Sequence, residues 1–463
     1  MSTATDQTRQ LELQLKWEPA SIFGEVDRCN GCGLCRSRSE HLRMCPIFRF
    51  IPDENASPRA KANLLRGVLD EKLGLDILAD QSVKSLADHC FHCQMCRVEC
   101  PGQVDVSALA FRCKSAYAAA HGLPLSDHFF IRIDAILRFF AFFGYPLNWL
   151  LANRAVRWLL DKSIGIPAGR KLPRFKNVPF LSRIAWSRRF TKPLRRGDRK
   201  VALYVDTFSN IFDNQVAENA IKVLEYHGYS VLVPPRQLGN ALSAIANGNG
   251  DYAEYVIRKN TALFADLVRL GYKIVSLEPA ATVCLKHEYP QISKDPDTTL
   301  IAENTVDLCE FLYQLHLAGQ LRLDFKPISC CVGYHAPCRS LAIDRTGSGD
   351  GVNSVTPAEF LLHLIPGLDV RRLERGCCGM AGTFGMKKAN YQMSLRMGVR
   401  LFSGMRQSAI QLGATDCGSC QMQMEQGSPK PTVHPIRFLA YAYGFTDNFG
   451  LELEQNNASK VKI

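Results

Sequence analysis

The sequence predicts a multidomain α+β protein in which a helical, cysteine-rich domain precedes a duplicated α/β domain. Two runs of closely spaced cysteines lie within the first hundred residues and define the cysteine-rich domain. A strand–helix–strand order begins near residue 200 and returns after residue 330, which indicates the duplication. The chain has 463 residues, more than one hydrophobic core usually spans, so two or three domains are expected.

The eighteen cysteines narrow the class of protein. In a small secreted chain they would indicate disulfides, but this chain is long. Its opening, MSTATDQTRQLELQLKWEPA, has neither an apolar core nor a cleavage signature. We therefore expect a reducing compartment, in which cysteines more often bind metal or carry out redox chemistry. An apolar content of 46% is enough to fill the domains and argues against a disordered chain.

Both cysteine runs end in a proline. The second, CFHCQMCRVECP, has the C-x2-C-x2-C-x3-C-P spacing of bacterial iron–sulfur proteins, and CNGCGLCRSRSEHLRMCP is a looser copy of it. In such pairs the fourth cysteine of each run ligates the cluster of the other run. This rule predicts two [4Fe–4S] clusters, the first held by Cys29, Cys32, Cys35 and Cys100 and the second by Cys90, Cys93, Cys96 and Cys45.

The first run departs from the compact motif, because nine residues separate Cys35 from Cys45 where the motif has three. The geometry of the first loop is therefore less defined than that of the second. A pair of structural zinc knuckles is the alternative, since C-x2-C pairs also make zinc sites. Zinc takes four ligands per site and has no role for a third regularly spaced cysteine, so the spacing favours iron–sulfur clusters.

A helix is predicted between the two runs. Ser57 and Pro58 fit an N-cap and a first-turn proline, and apolar residues then recur at helical spacing through Leu64, Leu65 and Val68. The cysteine-rich domain is therefore expected to be helical and to end near residue 122.

An aromatic segment follows from Phe129 to Leu160. Its longest stretch without a charge, Phe139 to Asn153, has fifteen residues, fewer than the ~20 that a membrane-spanning helix requires. Because the segment is aromatic, flanked by arginines and broken by Gly144 and Pro146, we expect it to lie in a membrane interface. The alternative is that its helices pack on another domain or on a partner subunit.

A basic stretch comes directly after the aromatic segment. Residues 170 to 200 contain twelve Lys or Arg and one acidic residue, Asp198, whereas the formal net charge of the whole chain is +12. Nearly all the excess charge is therefore local, as expected for attachment to an anionic membrane at ~1 kcal/mol per basic residue. Nucleic acid is a weaker alternative, because the basic residues are scattered among prolines and no nucleic-acid-binding motif is present. We expect no nucleic-acid partner.

From residue 200 the pattern is α/β and occurs twice. VALYVDTFSN and YSVLVPP are strand-like around the helical NQVAENAIKVLEYHG, and SCCVGYHAPC and LDVRRLERGCCG are strand-like around the helical PAEFLLHLIPG. The alignment pairs Tyr204 with Tyr334 and Val231 with Val370. It also pairs five cysteines of the second half with other residues of the first half: Cys338 with Phe208, Cys377 and Cys378 with Leu238 and Gly239, and Cys417 and Cys420 with Glu278 and Ala281.

The motifs YHAPC, GCCGMAGTFGMKKANY, TDCGSC and VHPIRFLAYA resemble the second half of a duplicated cysteine-rich (CCG) domain. With the two cysteine runs, which are of ferredoxin type, and SPRAKANLLRG, the chain resembles the iron–sulfur subunit of anaerobic glycerol-3-phosphate dehydrogenase. It is equally similar to the iron–sulfur half of flavin-linked D-lactate, glycolate and D-2-hydroxyglutarate dehydrogenases. The resemblance covers about residues 25 to 445.

The resemblance implies a function in electron transfer. In this family a partner or fused flavin domain oxidises glycerol-3-phosphate or a 2-hydroxyacid, and the iron–sulfur chain passes electrons toward a membrane quinone. It implies a flavoprotein dehydrogenase partner that carries FAD, which is not expected on this chain, and contact with the membrane surface and quinone. The implied location is cytoplasmic, peripheral on the inner face of the cell membrane. No substrate-oxidising site is expected here, because the chain lacks a G-x-G-x-x-G fingerprint and a nucleophile elbow.

The resemblance also implies a candidate third metal centre. In heterodisulfide reductases, five cysteines of the CCG module hold a non-cubane four-iron cluster. The corresponding residues here are Cys338, Cys377, Cys378, Cys417 and Cys420. Zinc, or a set of thiols without metal, is the alternative. The first half lacks all five cysteines, so we expect it to act as a scaffold. The remaining cysteines are expected to be buried small hydrophobic residues: Cys113, Cys284, Cys309, Cys330 and Cys331.

The predicted organisation has six segments. They are an N-terminal extension (1–24), a helical two-cluster ferredoxin domain (25–122), an aromatic and basic amphipathic linker (123–200), a degenerate first CCG repeat (201–325), a second CCG repeat with the five-cysteine site (326–446) and a tail (447–463). Two other functions remain open. The chain would be a soluble heterodisulfide-reductase-like subunit if it does not partition to membranes, and a non-catalytic metal-binding scaffold if its iron is not redox-active.

Overall fold

The computed structural model describes residues 24–39, 42–70, 72–176, 178–187, 190–192, 199–343, 355–373 and 376–446. Most of the predicted N-terminal extension and the predicted tail lie outside these ranges. Four of the basic residues that follow the aromatic segment also lie outside them: Arg188, Arg189, Arg195 and Arg196.

The region of the two cysteine runs is helical, as predicted. Its α-helices are Pro46–Phe50, Pro58–Leu69, Gln81–Asp88, Met95–Glu99 and Val106–His121, joined by 3₁₀ turns at Leu34–Arg36, Glu54–Ala56 and Leu75–Ala79. The predicted N-cap is confirmed, since Ser57 Oγ accepts a hydrogen bond of 3.2 Å from Ala60 N. Leu65, Leu109 and Met95 are buried beside the cysteines, so the core of this region is built around the thiols.

The aromatic segment forms a series of short helices. They are Leu125–Ile131, Ile133–Phe140, Gly144–Ala152 and Arg154–Ser163, with a 3₁₀ turn at Ala141–Phe143, and a further helix follows at Phe180–Ser187. Ile133–Ala152 is a helical run of 20 residues that is long and apolar enough to cross a membrane, by length and composition alone. The prediction that this segment is too short to span a membrane was therefore wrong. It counted only the uncharged residues from Phe139 to Asn153, whereas the helical run also includes the charged Asp134 and Arg138.

Both of those charges contact protein. Asp134 accepts a hydrogen bond from Thr207 Oγ1, and Arg138 donates to the carbonyl of Gln237 at 2.8 Å. These contacts hold the start of the helical run on the first α/β unit.

Two parallel four-stranded sheets follow, each with helices on its faces. The first contains β1 (Lys200–Tyr204), β2 (Ser230–Leu232), β3 (Lys273–Ser276) and β4 (Thr305–Asp307), and the second contains β5 (Cys330–Tyr334), β6 (Leu368–Arg372), β7 (Leu412–Ala414) and β8 (Thr432–Val433). Their strand orders are β2-β1-β3-β4 and β6-β5-β7-β8, so the two units repeat one topology.

The helices of the first unit are Thr207–Ile211, Asn214–Tyr226, Leu242–Ala246, Gly250–Arg269, Pro279–Val283, Tyr289–Ile292, Asp297–Asn304 and Leu308–Leu317, with a π-helical turn at Cys284–Glu288. Those of the second unit are Cys338–Ala342, Pro357–His363, Lys388–Arg406, Gly418–Gly427 and Pro435–Ala442, with a 3₁₀ turn at Phe384–Met386. Buried side chains of both sheets join in one hydrophobic core, which packs the two units side by side.

Strand register tests the internal alignment residue by residue. β1 and β5 both end on the paired tyrosines, Tyr204 and Tyr334. Ala202 is opposite Leu232 in the first sheet, whereas Val332 is opposite Val370 in the second. The pairing of Val231 with Val370 is therefore off by one residue, because the hydrophobic pattern of a short buried strand does not fix its register.

Candidate iron–sulfur site

The cysteines predicted for the first cluster lie around one small cavity of about 30 Å³. It is lined by Cys29, Cys32, Cys35 and Cys100, together with Cys96 from the second predicted set. Burial, with the neighbouring thiols of Cys100 and Cys29, raises the pKa of Cys35 to about 11. Cys100 thus lies beside the three cysteines of the other run.

The cysteines predicted for the second cluster also lie close to one another. Burial raises the pKa of Cys96 well above its usual range, and the thiols of Cys45, Cys93 and Cys90 raise it further. Lys61 is buried beside this set and donates to the carbonyls of Asn55, Ala56 and Ser57 at 3.0, 3.1 and 3.2 Å. Burial lowers the pKa of Lys61, and the nearby Cys90 and Cys45 thiols partly oppose this shift, so a basic side chain lies close to the second cysteine set.

Both runs follow the same backbone path. Gly31 and Gly33 have φ of +73° and +72°, and His92 and Gln94, at the matching places of the second run, have φ of +57° and +65°. Glycine adopts this left-handed conformation at no steric cost, whereas other residues need outside support. Gln94 Nε2 donates to Glu288 Oε1 at 3.0 Å, and the carbonyl of His92 accepts from Arg339 at 2.6 Å. The first α/β unit and the five-cysteine site thus hold the second loop in place.

The five cysteines of the second α/β unit form one cluster of thiols. All five line a cavity of about 20 Å³: Cys338, Cys377, Cys378, Cys417 and Cys420. Cys93 lines the same cavity, so the second predicted cubane set adjoins the five thiols. The Sγ atoms of Cys420 and Cys378 are 3.3 Å apart.

Hydrogen bonds link these thiols in a chain. Cys377 and Cys420 donate to Cys378 and hold its pKa well below the usual range, and the nearby His335 lowers it further. The single S–H group of Cys377 can donate to Cys338 instead, and this contact lowers the pKa of Cys338. Each of these contacts makes a thiol of the set more acidic, and the thiolate is the form that binds metal.

Three carboxyl ends of parallel strands bring the five cysteines together. Cys338 opens the helix after β5, Cys377 and Cys378 follow β6, and Cys417 and Cys420 lie at the start of the helix after β7. The β6 loop needs a glycine behind the paired cysteines, because Gly379 has φ of +88° and a Cβ there would lie 2.3 Å from the carbonyl oxygen of Ser394. Ligand sites in open α/β sheets occur at this edge.

The chemistry of the donors fits an iron–sulfur centre. Five soft thiols exceed the four ligands of a tetrahedral zinc site, and thiolates are the ligands of iron–sulfur clusters. Backbone N–H groups point at the sulfurs, since Gly379 N lies 3.3 Å from Cys377 Sγ and Met380 N lies 3.5 Å from Cys378 Sγ. Such hydrogen bonds tune the reduction potential of a cluster.

His335 is a further metal-ligand candidate that the sequence analysis did not single out. A nitrogen of its buried ring and the sulfurs of Cys378 and Cys420 all lie within 4.8 Å of one another. Neither ring nitrogen has a hydrogen-bond partner among the described residues. One signal was available, because His335 stands directly after a strand and three residues before Cys338.

Two buried arginines lie at the junction of the cysteine sets and were also missed. Besides its bond to His92, Arg339 is adjacent to Cys338; although burial alone lowers its pKa, the neighbouring Cys284, Cys338 and Glu288 raise it. Arg43 donates to the carbonyl of Ala336 at 3.3 Å. Both are positioned to offset negative charge on metal-bound sulfur, and only the tertiary fold brings them there.

The first α/β unit contacts the five-cysteine site with the residues that replace cysteine. Glu278, the N-cap of its helix, accepts a hydrogen bond of 2.9 Å from Gly418 N. A Cβ on Gly418 would lie 2.3 Å from Phe208 Cγ, so this aromatic ring packs directly on the cysteine-bearing helix. The five remaining cysteines do not line the cysteine cavities of the described residues; Cys113, Cys284, Cys309 and Cys330 are buried, and Cys331 is partly buried on β5.

Two protein-family models match the chain. A 4Fe-4S dicluster domain matches residues 28–105 and contains both cysteine runs, and a cysteine-rich domain matches residues 332–425 and contains the five thiols and His335. These matches confirm the identification of a dicluster iron–sulfur region and a CCG region.

The similar proteins include a dehydrogenase and a subunit of another dehydrogenase. The chain is 29% identical over 301 residues to one subunit of the anaerobic glycerol-3-phosphate dehydrogenase of Escherichia coli (strain K12), and the match covers 65% of this chain and 72% of the relative. It is 23% identical over 461 residues to the D-2-hydroxyglutarate dehydrogenase of Pseudomonas putida, covering 91% of this chain and 44% of that enzyme. It therefore spans less than half the length of that enzyme.

A third relative belongs to a reductase. The chain is 26% identical over 225 residues to one subunit of the fumarate reductase (CoM/CoB) of Methanothermobacter marburgensis, covering 47% of this chain and 40% of the relative. Taken with the two family matches, the similarities to the glycerol-3-phosphate dehydrogenase subunit and to the D-2-hydroxyglutarate dehydrogenase confirm the resemblance to the iron–sulfur subunits of those dehydrogenases.

Proposed function

We propose that this chain is an iron–sulfur subunit that carries electrons between a flavin-dependent dehydrogenase and a membrane quinone. The observation that carries the proposal is the sequence of three adjoining cysteine sets. Cys96 lines the cavity of the first set while it belongs to the second, and Cys93 lines the cavity of the five thiols. Centres that adjoin in this way allow electrons to pass in short steps from the first cysteine set to the third.

The proposed ligands are those predicted from the sequence. Two [4Fe–4S] clusters are held by the crossed sets of the dicluster region, and a non-cubane four-iron cluster is held by the five cysteines of the second unit. The first α/β unit is proposed to be a degenerate copy of the CCG domain, because the two sheets share one strand order and Glu278 and Cys417 are both helix N-caps. This unit is a scaffold without metal.

The proposed partner is a flavoprotein that carries FAD and oxidises glycerol-3-phosphate or a 2-hydroxyacid. The support is the similarity to a glycerol-3-phosphate dehydrogenase subunit and to a D-2-hydroxyglutarate dehydrogenase of which this chain spans 44%. The remaining part of that enzyme leaves room for a substrate-oxidising domain.

The proposed attachment site is an apolar surface on the aromatic segment. We call it the aromatic surface, and its large exposed side chains are Phe139, Phe140, Phe142, Phe143, Tyr145, Trp149, Leu150, Trp158, Leu159 and Trp186. Contiguous exposed apolar patches of this kind mark interaction sites with protein or membrane. The adjoining basic stretch favours an anionic membrane, at the inner face of the cell membrane.

Metal analysis of the anaerobically purified chain tests the proposed centres. We expect ~8 irons per chain if the two cubanes form and ~12 if the five cysteines also hold a four-iron cluster. One equivalent of zinc with iron near eight would show that the third centre is not a redox centre.

Reconstitution tests the proposed pathway. The flavoprotein that co-purifies with the chain should be identified, and its substrate should then reduce first the iron–sulfur centres and then an added quinone. Quinone that stays oxidised while the centres become reduced would contradict the quinone assignment.

A heterodisulfide-type reductase is the second candidate. The similarity to a subunit of a fumarate reductase (CoM/CoB) and the five-cysteine site favour it. Two measurements distinguish the candidates. A quinone should re-oxidise the reduced electron-transfer subunit, which should partition to membranes. A disulfide should re-oxidise a heterodisulfide-type reductase, which should not partition to membranes. A non-catalytic metal scaffold would hold iron that neither oxidant re-oxidises.

A further inference from the structure

A larger cavity lies between the aromatic segment and the two α/β units. Its volume is about 450 Å³, within the range of small-molecule sites. Most of its wall is apolar, and the helices of the aromatic segment supply part of it, with Leu137, Leu147, Leu151 and Leu160 among the lining residues. The cavity is distinct from the two small cavities that the predicted metal ligands line.

The cavity connects the aromatic surface with the five thiols. Phe140 and Leu150 line it and are themselves exposed, by 44% and 42%, so its outer end opens on the aromatic surface. Arg339, Gly382 and Ser419 line it at the other end, and the same three residues line the cavity of the five cysteines. A molecule that fills the cavity would therefore reach from the apolar surface to the edge of the thiol cluster.

The first α/β unit supplies part of the wall with the loops that carry cysteines in the second unit. Phe208 and Glu278, which stand at cysteine positions in the internal alignment, line the cavity together with Ala280. Because this unit lacks the cysteines, the edge of its sheet has no metal of its own to enclose. The space there is available to a ligand.

We propose that this cavity binds a lipid-soluble quinone, with its ring at the inner end and its apolar tail toward the aromatic surface. The proposal rests on the proposed function and gives that function a place for its acceptor. Reduction of the quinone to the quinol takes two electrons and two protons. The electrons come from the substrate-reduced flavoprotein through the iron–sulfur centres, and the protons come from water.

The chemistry of the two ends favours a quinone over a lipid acyl chain. An acyl chain is apolar throughout, whereas the inner end of the cavity has the polar side chains of Arg339 and Ser419. A quinone combines an apolar tail with two carbonyl oxygens, and hydrogen-bond donors at one end of an apolar site fix the orientation of such a ligand. The inner end is also the end that adjoins the electron donor.

Photolabelling of the full chain with a short-tailed azidobenzoquinone tests the site directly. Because the azide is on the ring, we expect the labelled peptides to come from the inner end of the cavity, around Arg339 or Ser419, and we expect excess decylubiquinone to prevent the labelling. Ser243, partly exposed and on the lining, is the position for a blocking variant. Ser243→Trp should lower labelling and quinone reduction at least tenfold, without a change in iron content or in the visible absorption spectrum.

Ser85→Trp is the matched control, since Ser85 is exposed on the helix Gln81–Asp88. It should label and reduce quinone like the wild type. Should Ser243→Trp fail to fold, Leu147→Trp blocks the same cavity from another helix. Labels confined to other peptides, or blocked variants that reduce quinone at the wild-type rate, would overturn the cavity assignment and leave the proposed function standing. A wild-type chain that is reduced by its partner but neither binds nor reduces quinone would overturn both.

Discussion

At the scale of single residues, the position of Cys93 between two cysteine sets makes it the most informative cysteine to change. It belongs to the second predicted cubane and lines the cavity of the five thiols. Cys93→Ser should remove one cubane, because an oxygen ligand is a poor substitute for a soft thiolate. We expect ~4 fewer irons per chain and loss of quinone reduction, while the partner flavin remains reducible by its substrate.

Cys284→Ser is the matched control for this prediction. Cys284 is buried, but it donates to Glu288 Oε2 at 3.7 Å and belongs to no predicted ligand set. Serine keeps a donor at this position, so iron content and electron transfer should stay near wild type. Quinone reduction that survived in Cys93→Ser at a comparable rate would contradict a serial path through this cluster.

A buried carboxyl at the junction of the α/β units predicts a pH dependence of stability. Burial raises the pKa of Asp307 to about 8, and the nearby Asp416 carboxylate contributes. In the unfolded chain the same group ionises near ~3.9. Between these values the folded state binds more protons, so this group lowers the free energy of unfolding as pH rises from ~4 to ~8.

Asp307→Asn isolates this contribution. Asp307 caps the helix Leu308–Leu317 by accepting from Cys309 N at 2.9 Å, and asparagine caps about as well. The variant should therefore fold, and its thermal midpoint should fall less than that of the wild type between pH 6 and pH 8.5. Equal losses for the two proteins over this range would show that Asp307 is ionised in the folded state at pH 6.

At the scale of elements, the stability of the helix Pro58–Leu69 should affect how well the protein retains its iron. Ser57 is fully buried, and besides its cap bond it donates to Glu54 Oε1 at 3.1 Å. Its carbonyl also accepts from Lys61, the cation beside the second cysteine set. Ser57→Ala should cost ~1 kcal/mol of stability and speed the loss of iron during exposure to a chelator.

Ser57→Thr should restore most of this loss, because threonine is also an N-cap residue. The measurement is the rate of iron release to a chelator under anaerobic conditions, with circular dichroism to follow folding. If Ser57→Ala and the wild type released iron at the same rate, the helix cap would have no effect on cluster retention.

Elements whose signals are local could be predicted from the sequence. The cap before Pro58, the cysteine spacing and the repeated strand order each depend on neighbouring residues, and all appear in the structure. Features that arise from contacts between distant segments could not. Arg339 and the large apolar cavity depend on residues far apart in the chain, and an isolated arginine carries no signal of its burial. His335 had one local signal, its place directly after a strand and three residues before Cys338, but only the fold brings it to Cys378 and Cys420. The one-residue error in β2 had a related cause, since only pairing with β1 fixes its register.

At the scale of the whole molecule, the cysteine sets, the apolar cavity and the aromatic surface follow one another. The first cubane set lies at one end, the second adjoins the five thiols, and the cavity leads from these thiols to the aromatic surface. This order can serve electron transfer to a quinone in the membrane only if the aromatic surface contacts lipid. Membrane binding of the isolated chain is therefore the decisive property of the whole molecule.

Attachment to an anionic membrane rests on two additive contributions. Burial of apolar side chains contributes ~25 cal/mol per Å² and does not depend on salt. Attraction of basic residues contributes ~1 kcal/mol each and is screened by salt, with a Debye length of ~10 Å at 0.1 M. High salt alone should therefore release the wild type only partially, as measured by co-sedimentation with vesicles that contain anionic lipid.

Variants separate the two contributions. Changing Phe139, Phe142, Phe143 and Trp149 to Ser, all on the aromatic surface, should make the protein fully releasable by salt. Changing the exposed Arg154, Arg174 and Lys176 to Gln should weaken binding to anionic vesicles more than to neutral ones. Two control variants should bind like the wild type: Leu317→Ser with Leu323→Ser, exposed apolar positions of the first unit, and Arg258→Gln with Lys259→Gln and Lys273→Gln, exposed basic ones. If the wild-type chain does not bind anionic vesicles even at low salt, with the partner absent, the aromatic surface docks a protein, and the quinone must reach the cavity through that partner.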